Sequence, residues 1–471
     1  MRAFHRVLEG LRPAKTTLRR LKSLLIVALV ALAIYMTGQL WFVNLSNRNF
    51  FLYLRDRITA SAPDGYSDFV RPMRVIYGDG SGRFDISYSG LVDPHPRALM
   101  DTVLTGLFSS GTFIGVGETD FYRIFSRPVL IYEYAFSMPG SIFPLGFNQR
   151  TGAFLTGHGV DEFTSVAIWL PENADGLRVF FINDDRAWEF SVITAAAINF
   201  PTHGVPASSL HFVAAVLEGY DFLPPGLFIA RHGGVGRLGY HPVAVINPYR
   251  TTFGGSLNHF RNNVTHFFAN PATISARVAS DGVWTVSSNH TTMRYYDTEV
   301  LEYLSFRPRR RSNVPSFMED FSAALAFIGD DIHVVNEIFL AGFEERGTTN
   351  VFWFSYIVDN FPILLPEGWE VSSPEDILPY PIEVHVDRGQ VIRYRRLAHH
   401  FELRDDPQLF TPDFDRFLAE QNEPVEQINR LSLGYLMCSN SDLLLGWLAT
   451  FEDIDYEPDY EYIDAFLEDY D

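Results

Sequence analysis

Two short glycine motifs are the first candidates for chemistry in this chain. GVGRLG at residues 234–239 matches the G-x-G-x-x-G pattern of dinucleotide-binding loops. Such a loop must follow a strand and open a helix, so that the helix N-terminus faces the phosphates. Here the motif leads into HPVAVINPYR, whose prolines and β-branched residues oppose a helix. GVGETD at residues 115–120 is a weaker match, and neither motif predicts a nucleotide site.

Side chains that commonly act as nucleophiles, bases or metal ligands show no matching pattern either. Lys15 and Lys22 are the only lysines, so a Schiff base or a P-loop is excluded from the rest of the chain. No G-x-S-x-G or H-E-x-x-H motif is present. His385 could meet His399 and His400 at a metal, but adjacent histidines on a strand point to opposite faces. We therefore expect surface histidines, no metal, no cofactor and no enzymatic activity.

The distribution of charge points to a membrane protein. Residues 1–23 are strongly basic, although the whole chain carries a formal charge of −20. The acidic remainder would repel phosphates, which argues against nucleic-acid binding. Between the two parts lies LLIVALVALAIYMTGQLWFV, residues 24–43, which carries no charge and has the length of a transmembrane helix. By the positive-inside rule, the N-terminus is cytoplasmic and the following body is extracytoplasmic, which makes this a single-pass protein of the cell membrane.

The same segment could instead be a cleaved signal peptide, because Ala31-Leu32-Ala33 resembles a cleavage site. Its apolar run continues well beyond that site, which favours a retained anchor. In a retained helix, Ala31 and Gly38 share one face and would allow a partner helix to approach closely. Gln39 could donate a hydrogen bond to such a partner, and Trp41 would lie at the outer interface. A helix that contacts only lipid could carry the same residues without any function.

The fold class predicted for the whole chain is α+β: one N-terminal transmembrane helix, then a multi-domain extracytoplasmic body of antiparallel sheets and packed helices. Helical periodicity marks residues 96–111, 255–271 and 315–329, and strand-like alternation marks many short segments between them. EPVEQINRLSLGYL at residues 423–436 is interpreted as beginning in a helix. The predicted parts are a basic segment (1–23), the transmembrane helix (24–43), an N-terminal domain (44–195), a middle domain (196–306), a linker (307–315), a C-terminal domain (316–451) and an acidic flexible tail (452–471).

Two hairpins suggest that the last two domains are alike. MRYYDTEVLEY in the middle domain and IEVHVDRGQVIRY in the C-terminal domain each turn at an aspartate, Asp297 or Asp387. Each returning strand ends in a tyrosine, Tyr303 or Tyr394. Convergent hairpin chemistry explains so short a match almost as well as a duplication does.

The order of these segments resembles the YycH (WalH) family of membrane regulators of the WalK/WalR two-component system in Gram-positive bacteria. The resemblance rests on TGQLWF at the end of the apolar segment, FFANP, DGVWTVSSNHTTMRYYDTEVLEY, and YPIEVHVDRGQVIRYRR late in the chain. It implies several α+β domains with the later ones alike, and no catalytic residues. It also implies a role with a single-pass YycI-like partner on the sensor histidine kinase WalK in the control of cell-wall metabolism, through contacts that include the transmembrane helices.

Two other classes of function stay open at the level of sequence. An anchored extracytoplasmic binding protein for cell-wall glycans or peptides would use the abundant aromatic residues as a ligand platform. A wall hydrolase would need two carboxylates in a shared cleft. Neither class has a motif of its own in this chain.

Overall fold

The computed structural model divides into two compact units, Met1–Asp64 and Gly65–Asp471. The described residues all belong to the second unit. They are 69–88, 94–143, 152–169, 176–183, 186–192, 212–217, 223, 226–230, 238–249, 256–280, 282–306, 317–365, 368–373, 376–410, 414, 428–437, 443–451 and 460–462.

A nine-stranded antiparallel sheet occupies the first half of this unit. Its strand order is β3-β7-β6-β5-β4-β1-β2-β8-β9. The elements are β1 (Arg74–Asp79), β2 (Phe84–Ser87), α1 (Pro94–Ser110), β3 (Thr112–Glu118), α2 (Phe121–Phe125), β4 (Pro128–Pro139), α3 (Gly152–Gly157), β5 (Glu162–Trp169), β6 (Leu177–Asn183), β7 (Arg186–Val192), β8 (Phe212–Ala214) and β9 (Phe228–Ala230).

Helix α1 covers part of this sheet with the apolar face that its sequence predicts. Val103, Leu104 and Leu107 recur at helical spacing, and all three are fully buried. The helix ends at Gly111, whose N–H donates to the Leu107 carbonyl at 2.8 Å. A Cβ at Gly111 would overlap that carbonyl, so glycine lets the chain turn directly into β3.

A twelve-stranded sheet forms the second half of the unit. The path β12-β13-β14-β15-β22-β21-β17-β18-β25-β26-β27 holds eleven strands, and β16 pairs with β17 beside it. The strands of this sheet and the two helices within the same part of the chain are α4 (Leu257–Val264), β12 (Ser275–Val278), β13 (Trp284–Ser287), β14 (Thr291–Tyr295), β15 (Val300–Ser305), α5 (Phe317–Asp330), β16 (Glu337–Arg346), β17 (Thr349–Val358), β18 (Phe361–Leu364), β21 (Ile382–Asp387), β22 (Gln390–Leu397), β25 (Ile428–Leu436), β26 (Leu444–Phe451) and β27 (Tyr460–Tyr462).

Three two-stranded pairings accompany the large sheet. They use β10 (Leu238–Tyr240) with β24 (Gln408–Phe410), β11 (Val243–Ile246) with β23 (His400–Leu403), and β19 (Trp369–Glu370) with β20 (Ile377–Leu378). β10 occupies the end of the GVGRLG motif, so a strand stands where a dinucleotide loop would need a helix.

The centre of the large sheet consists of two similar halves. One is helix α4 followed by β12, β13, β14 and β15, and the other is helix α5 followed by β16, β17, β21 and β22. The two halves pair through their last strands, β15 and β22. Along the sheet, the strands of the second half therefore follow one another in the reverse of the order in the first half. Tyr303 and Tyr394, the tyrosines that end the two similar hairpins, stand opposite each other in the β15–β22 register.

The fold is mixed and sheet-rich, with few helices among the described residues. Alternation in the hairpin IEVHVDRGQVIRY predicted β21 and β22 correctly, and helical periodicity predicted α1, α4 and α5. β25 occupies Ile428–Leu436, the later part of the segment 423–436, whereas residues 423–427, where a helix is predicted to begin, lie outside the described residues. This strand lies between β18 and β26, and Leu431, Leu433 and Tyr435 are all buried there. These three residues alternate with Arg430, Ser432 and Gly434, which is the period of two that a strand requires.

Arginine side chains join the two large sheets. Arg71 pairs with Glu337 at 2.5 Å, and next to it the Leu340 N–H donates to the Phe69 carbonyl at 2.9 Å. The Arg430 guanidinium on β25 donates to the Tyr134 and Ala135 carbonyls on β4. Two parts of the chain that the sequence analysis assigns to separate domains therefore hold each other directly.

Removal of a ring from the core under α5 tests this architecture. Phe321 is fully buried and its ring contacts Phe317, Phe352 and Phe354. Phe321→Ala should lower the free energy of unfolding by about 3–5 kcal/mol, because it removes buried contacts and leaves a cavity. Urea unfolding of the purified chain measures this loss. Ile332→Ala is the matched control, since Ile332 is 63% exposed and its removal should change the free energy by less than about 0.5 kcal/mol.

Candidate functional site

Four charged side chains and one tryptophan form a continuous row across five neighbouring strands of the large sheet. Arg294 stands opposite Glu302, Glu302 opposite Arg395, Arg395 opposite Glu383, and Glu383 opposite Trp353. We call these five residues the charged row. Successive residues of a strand point to opposite faces, so the row lies on the face away from Tyr303 and Tyr394.

Each carboxylate of the charged row is held from both sides. Glu302 accepts from the Arg393 guanidinium at 2.9 Å and from Arg294 at 3.4 Å. Glu383 accepts from Arg395 at 2.8 Å and from the Trp353 indole N–H at 3.0 Å. Opposite charges in register across strands stabilise the pairing of those strands.

A glycine gives the end of the row its space. Gly342 on β16 faces Trp353, and a Cβ there would lie 2.8 Å from the Trp353 ring. The indole therefore occupies the space beside Gly342 that a side chain would fill, and from there its N–H reaches Glu383. A larger residue at position 342 would push the ring away from this carboxylate.

The chain segment around β19 and β20 covers the charged row. Asp376 accepts from Arg395 at 2.8 Å, and the Trp369 indole N–H donates to the Thr298 carbonyl at 2.7 Å. Under this cover Glu302 and Glu383 are only 2% and 4% exposed. Charges this deeply buried keep their stability only when they are paired and hydrogen-bonded, as these are.

The opposite face of the sheet carries a second ion pair. Asp331, which follows α5, accepts from Arg396 at 2.8 Å and from the Tyr394 hydroxyl at 3.0 Å. Both side chains of the ion pair are fully buried. Burial opposes the ionised form of Asp331, yet the Arg396 guanidinium, together with His333 and the Tyr394 hydroxyl, outweighs burial and lowers the pKa of this carboxyl.

Other groups of this network are held in one protonation state. Burial disfavours the charge of Glu383, but its contacts with His385 and Arg395 bring its pKa down to about 2. Burial lowers the pKa of His333 to about 4, which leaves its imidazole neutral at physiological pH. The network therefore fixes charges and orients strands, and neither of these two groups titrates near neutral pH.

The three histidines considered as metal ligands do not converge. His385 bonds to Glu383, His399 bonds to Glu299, and His400 lies 3.6 Å from Glu402. His399 is fully buried, so the expectation of surface histidines was wrong for this residue. The described residues hold no group of three or more His, Cys, Asp or Glu side chains that could bind a metal ion.

The predicted helix-contact residues Ala31, Gly38, Gln39 and Trp41 lie outside the described residues, so their role stays a prediction. Within the described part of the chain, no helix is long and apolar enough to cross a membrane.

Sequence reasoning missed the charged row, although a signal for it exists. Arg393 and Arg395 alternate with apolar residues on one strand, as Glu383 and His385 do on the preceding strand of the hairpin. Those alternations predict a polar face on each strand. Only the register, which joins residues that are far apart in sequence, shows that acids face bases.

The described part of the protein therefore consists of two joined helix-and-sheet halves with buried ion pairs, and these halves are attached to a nine-stranded sheet. No protein-family model matches the sequence, and no curated protein matches it. Five chains among the solved structures do match.

One of these structures is YycH from Bacillus subtilis, which superposes with a TM-score of 0.52 at 12% sequence identity, over 84% of this chain and 96% of that one. The chain therefore has a YycH-like fold. Two further matches are an uncharacterized protein from Eubacterium rectale (TM-score 0.28, 11% identity, 47% of this chain and 81% of that one) and the C-terminal domain of YpeB from Bacillus megaterium (TM-score 0.26, 15% identity, 42% and 88%). Their TM-scores are too low to add to this conclusion.

Removal of one base from the charged row should be strongly destabilising. Arg395→Met leaves Glu383 buried without its main counter-charge, which costs about 3–5 kcal/mol for pairs of this kind. Urea unfolding at pH 7 measures the loss. Arg346→Met is a matched control, because Arg346 also pairs with a glutamate but is exposed, and its loss should cost less than about 1 kcal/mol.

Acid should weaken the same contact. The folded-state pKa of Glu383, about 2, lies below its ordinary value of 4.5. Its stabilising contribution is therefore complete above pH 4.5 and is lost as the pH falls towards 2. We expect the free energy of unfolding of Glu383→Gln to depend less on pH over this interval than that of the unmodified chain. Equal pH slopes in urea titrations between pH 5 and pH 2.5 would contradict this assignment.

Proposed function

We propose that this protein is a non-enzymatic, membrane-anchored regulator of a WalK-like sensor histidine kinase that controls cell-wall metabolism. The observation that carries the proposal is the YycH-like fold, which extends over 84% of this chain and nearly all of the matched one. The order of sequence segments that resembles the YycH family agrees with the same proposal.

The transmembrane part of the proposal rests on residues 24–43. The basic residues before this apolar segment place the N-terminus in the cytoplasm and the acidic body outside the membrane. In this arrangement the helix lies beside the helices of the kinase and of a YycI-like single-pass partner. The body contributes extracytoplasmic contacts with the same two proteins.

Regulation without catalysis requires a difference in binding energy. A partner protein shifts a kinase between signalling states only if it binds those states with different free energies. The shift in the equilibrium can be no larger than that difference in binding free energy. An extracytoplasmic body whose strands are fixed by buried ion pairs suits this role. A contact surface that does not deform loses none of its preference for one signalling state. The direction of the shift, activating or inhibitory, depends on which state the contacts favour.

The partners themselves provide the first test. Chemical crosslinking in native membranes, followed by identification of the adducts, should recover the full-length chain with a sensor histidine kinase and a second single-pass protein. Adducts with wall-lytic enzymes or glycan fragments, and none with a kinase, would overturn the proposal in favour of a wall-binding role.

Substitution within the helix provides the second test. Ala31→Leu combined with Gly38→Leu should lower co-purification with the kinase severalfold, because two bulky side chains prevent close approach at that face. Ala33→Leu is the matched control, since Ala33 lies on the opposite side of the helix at 100° per residue. Equal recovery of the kinase with the double variant and the control would exclude this face as the contact.

A further inference from the structure

Strand β27 lies within the acidic segment 452–471 and forms one end of the twelve-stranded sheet. This segment holds ten acidic residues and no basic one. Such a composition disfavours a strand, because like charges repel and aspartate and glutamate are rare in strands. β27 nevertheless pairs antiparallel with β26, opposite residues 448–450. The cause of this pairing therefore lies in β26.

Strand β26 is apolar and lacks the usual protection of an edge. Its sequence, LLGWLATF, contains no charged residue and no proline. Leu445, Trp447, Leu448 and Ala449 are all buried, so both faces of the strand are covered. On one side, β25 pairs with all eight residues of β26. An uncharged apolar strand with a free edge pairs readily with a strand of another chain, so the other side of β26 requires a cover.

β27 covers this side by a short pairing. It lies opposite three residues of β26, whereas β25 lies opposite eight. Residues 452–459 connect the two strands, which is longer than the loop of about two to five residues in a tight hairpin. A short strand at the end of a sheet has few contacts, so it opens at a low cost in free energy. Release of β27 leaves the whole outer edge of β26 open.

The strand that an open β26 fits is β26 of a second copy. Two copies of one strand pair antiparallel about a two-fold axis, so the same residues supply both sides of the interface. Charged residues directly after an apolar strand oppose such association in natural proteins. Glu452, Asp453 and Asp455 have this position in the sequence. Both the charges and the strand of the acidic segment therefore act against pairing between copies.

We propose that β27 is an intramolecular cap, which prevents β26 from pairing edge to edge with β26 of a second copy of this chain. While β27 is paired, the edge of β26 is occupied. When β27 is released, two copies join through β26 into one continuous sheet. This role of β27 is independent of the partners of the extracytoplasmic body.

Prolines within β27 test the cap in the full-length chain. Tyr460→Pro, Glu461→Pro and Tyr462→Pro together prevent the pairing with β26, because proline has no N–H to donate to a strand ladder. Size-exclusion chromatography with light scattering in detergent should then give twice the protein mass of the unmodified chain. This doubling should disappear on dilution.

A second set of prolines is the matched control. Asp464→Pro, Ala465→Pro and Phe466→Pro also replace one acidic and two uncharged residues, but they follow β27 instead of lying within it. The mass of this variant should equal that of the unmodified chain at every concentration.

Hydrogen–deuterium exchange locates the interface. In the variant with prolines in β27, the amides of Leu444–Phe451 should exchange faster than in the unmodified chain when the protein is dilute. They should be protected again at the concentrations at which the mass doubles. The amides of Ile428–Leu436 report whether the sheet stays folded, because β25 pairs with β26 on its other side. These amides should stay protected throughout.

Three results would overturn the proposal. An unchanged mass at every concentration shows that an open β26 does not recruit a second copy. A doubled mass without concentration-dependent protection of Leu444–Phe451 shows that the copies join elsewhere. Loss of protection over Ile428–Leu436 in the dilute variant shows that β27 is an integral part of the sheet and not a removable cap.

Discussion

The pairing of β15 with β22 is the contact on which the large sheet depends. β15 is the last strand of the first helix-and-sheet half, and β22 is the last strand of the second. The two halves are joined in the sheet through the edges of these two strands. Tyr303 and Tyr394 meet on the face under the helices, and Glu302 meets Arg393 and Arg395 on the other face. Because side chains alternate, a slip by one residue would move these charges to the face under the helices and the tyrosines to the face of the charged row. The register is therefore specified from both faces at once.

The buried charges explain how two similar halves join in one arrangement only. Apolar strands can pair in several registers at nearly equal energy, whereas a buried carboxylate left without its arginine costs several kcal/mol. Glu383 and Arg395 secure the hairpin of the second half, and Glu302 with Arg393 secures the joint between the halves. These buried ion pairs add little stability compared with apolar residues in the same positions. They nevertheless exclude the alternative registers in which the two halves could pair.

The sequence predicts local elements well and their assembly poorly. The alternation in IEVHVDRGQVIRY is a local property, so the β21–β22 hairpin follows from it. The burial of His399 against Glu299 depends on a residue a hundred positions away, which no local pattern contains. Strand β3 was missed because its glycines weaken the signal for a strand, whereas β25 was missed although Leu431, Leu433 and Tyr435 alternate with Arg430, Ser432 and Gly434. The residues of the proposed helix contact were chosen from the properties of residues 24–43 alone.

The pKa shifts of Glu383 and His333 run opposite to those expected of a general acid or base. A general acid or base works best when its pKa is near the operating pH, and active sites shift pKa values towards that range. Here the pKa of Glu383 falls to about 2 and that of His333 to about 4, so both move away from neutrality. Strong perturbation alone would mark both groups as candidates for a functional site. Their direction instead fits groups that are held in one charge state and support the sheet.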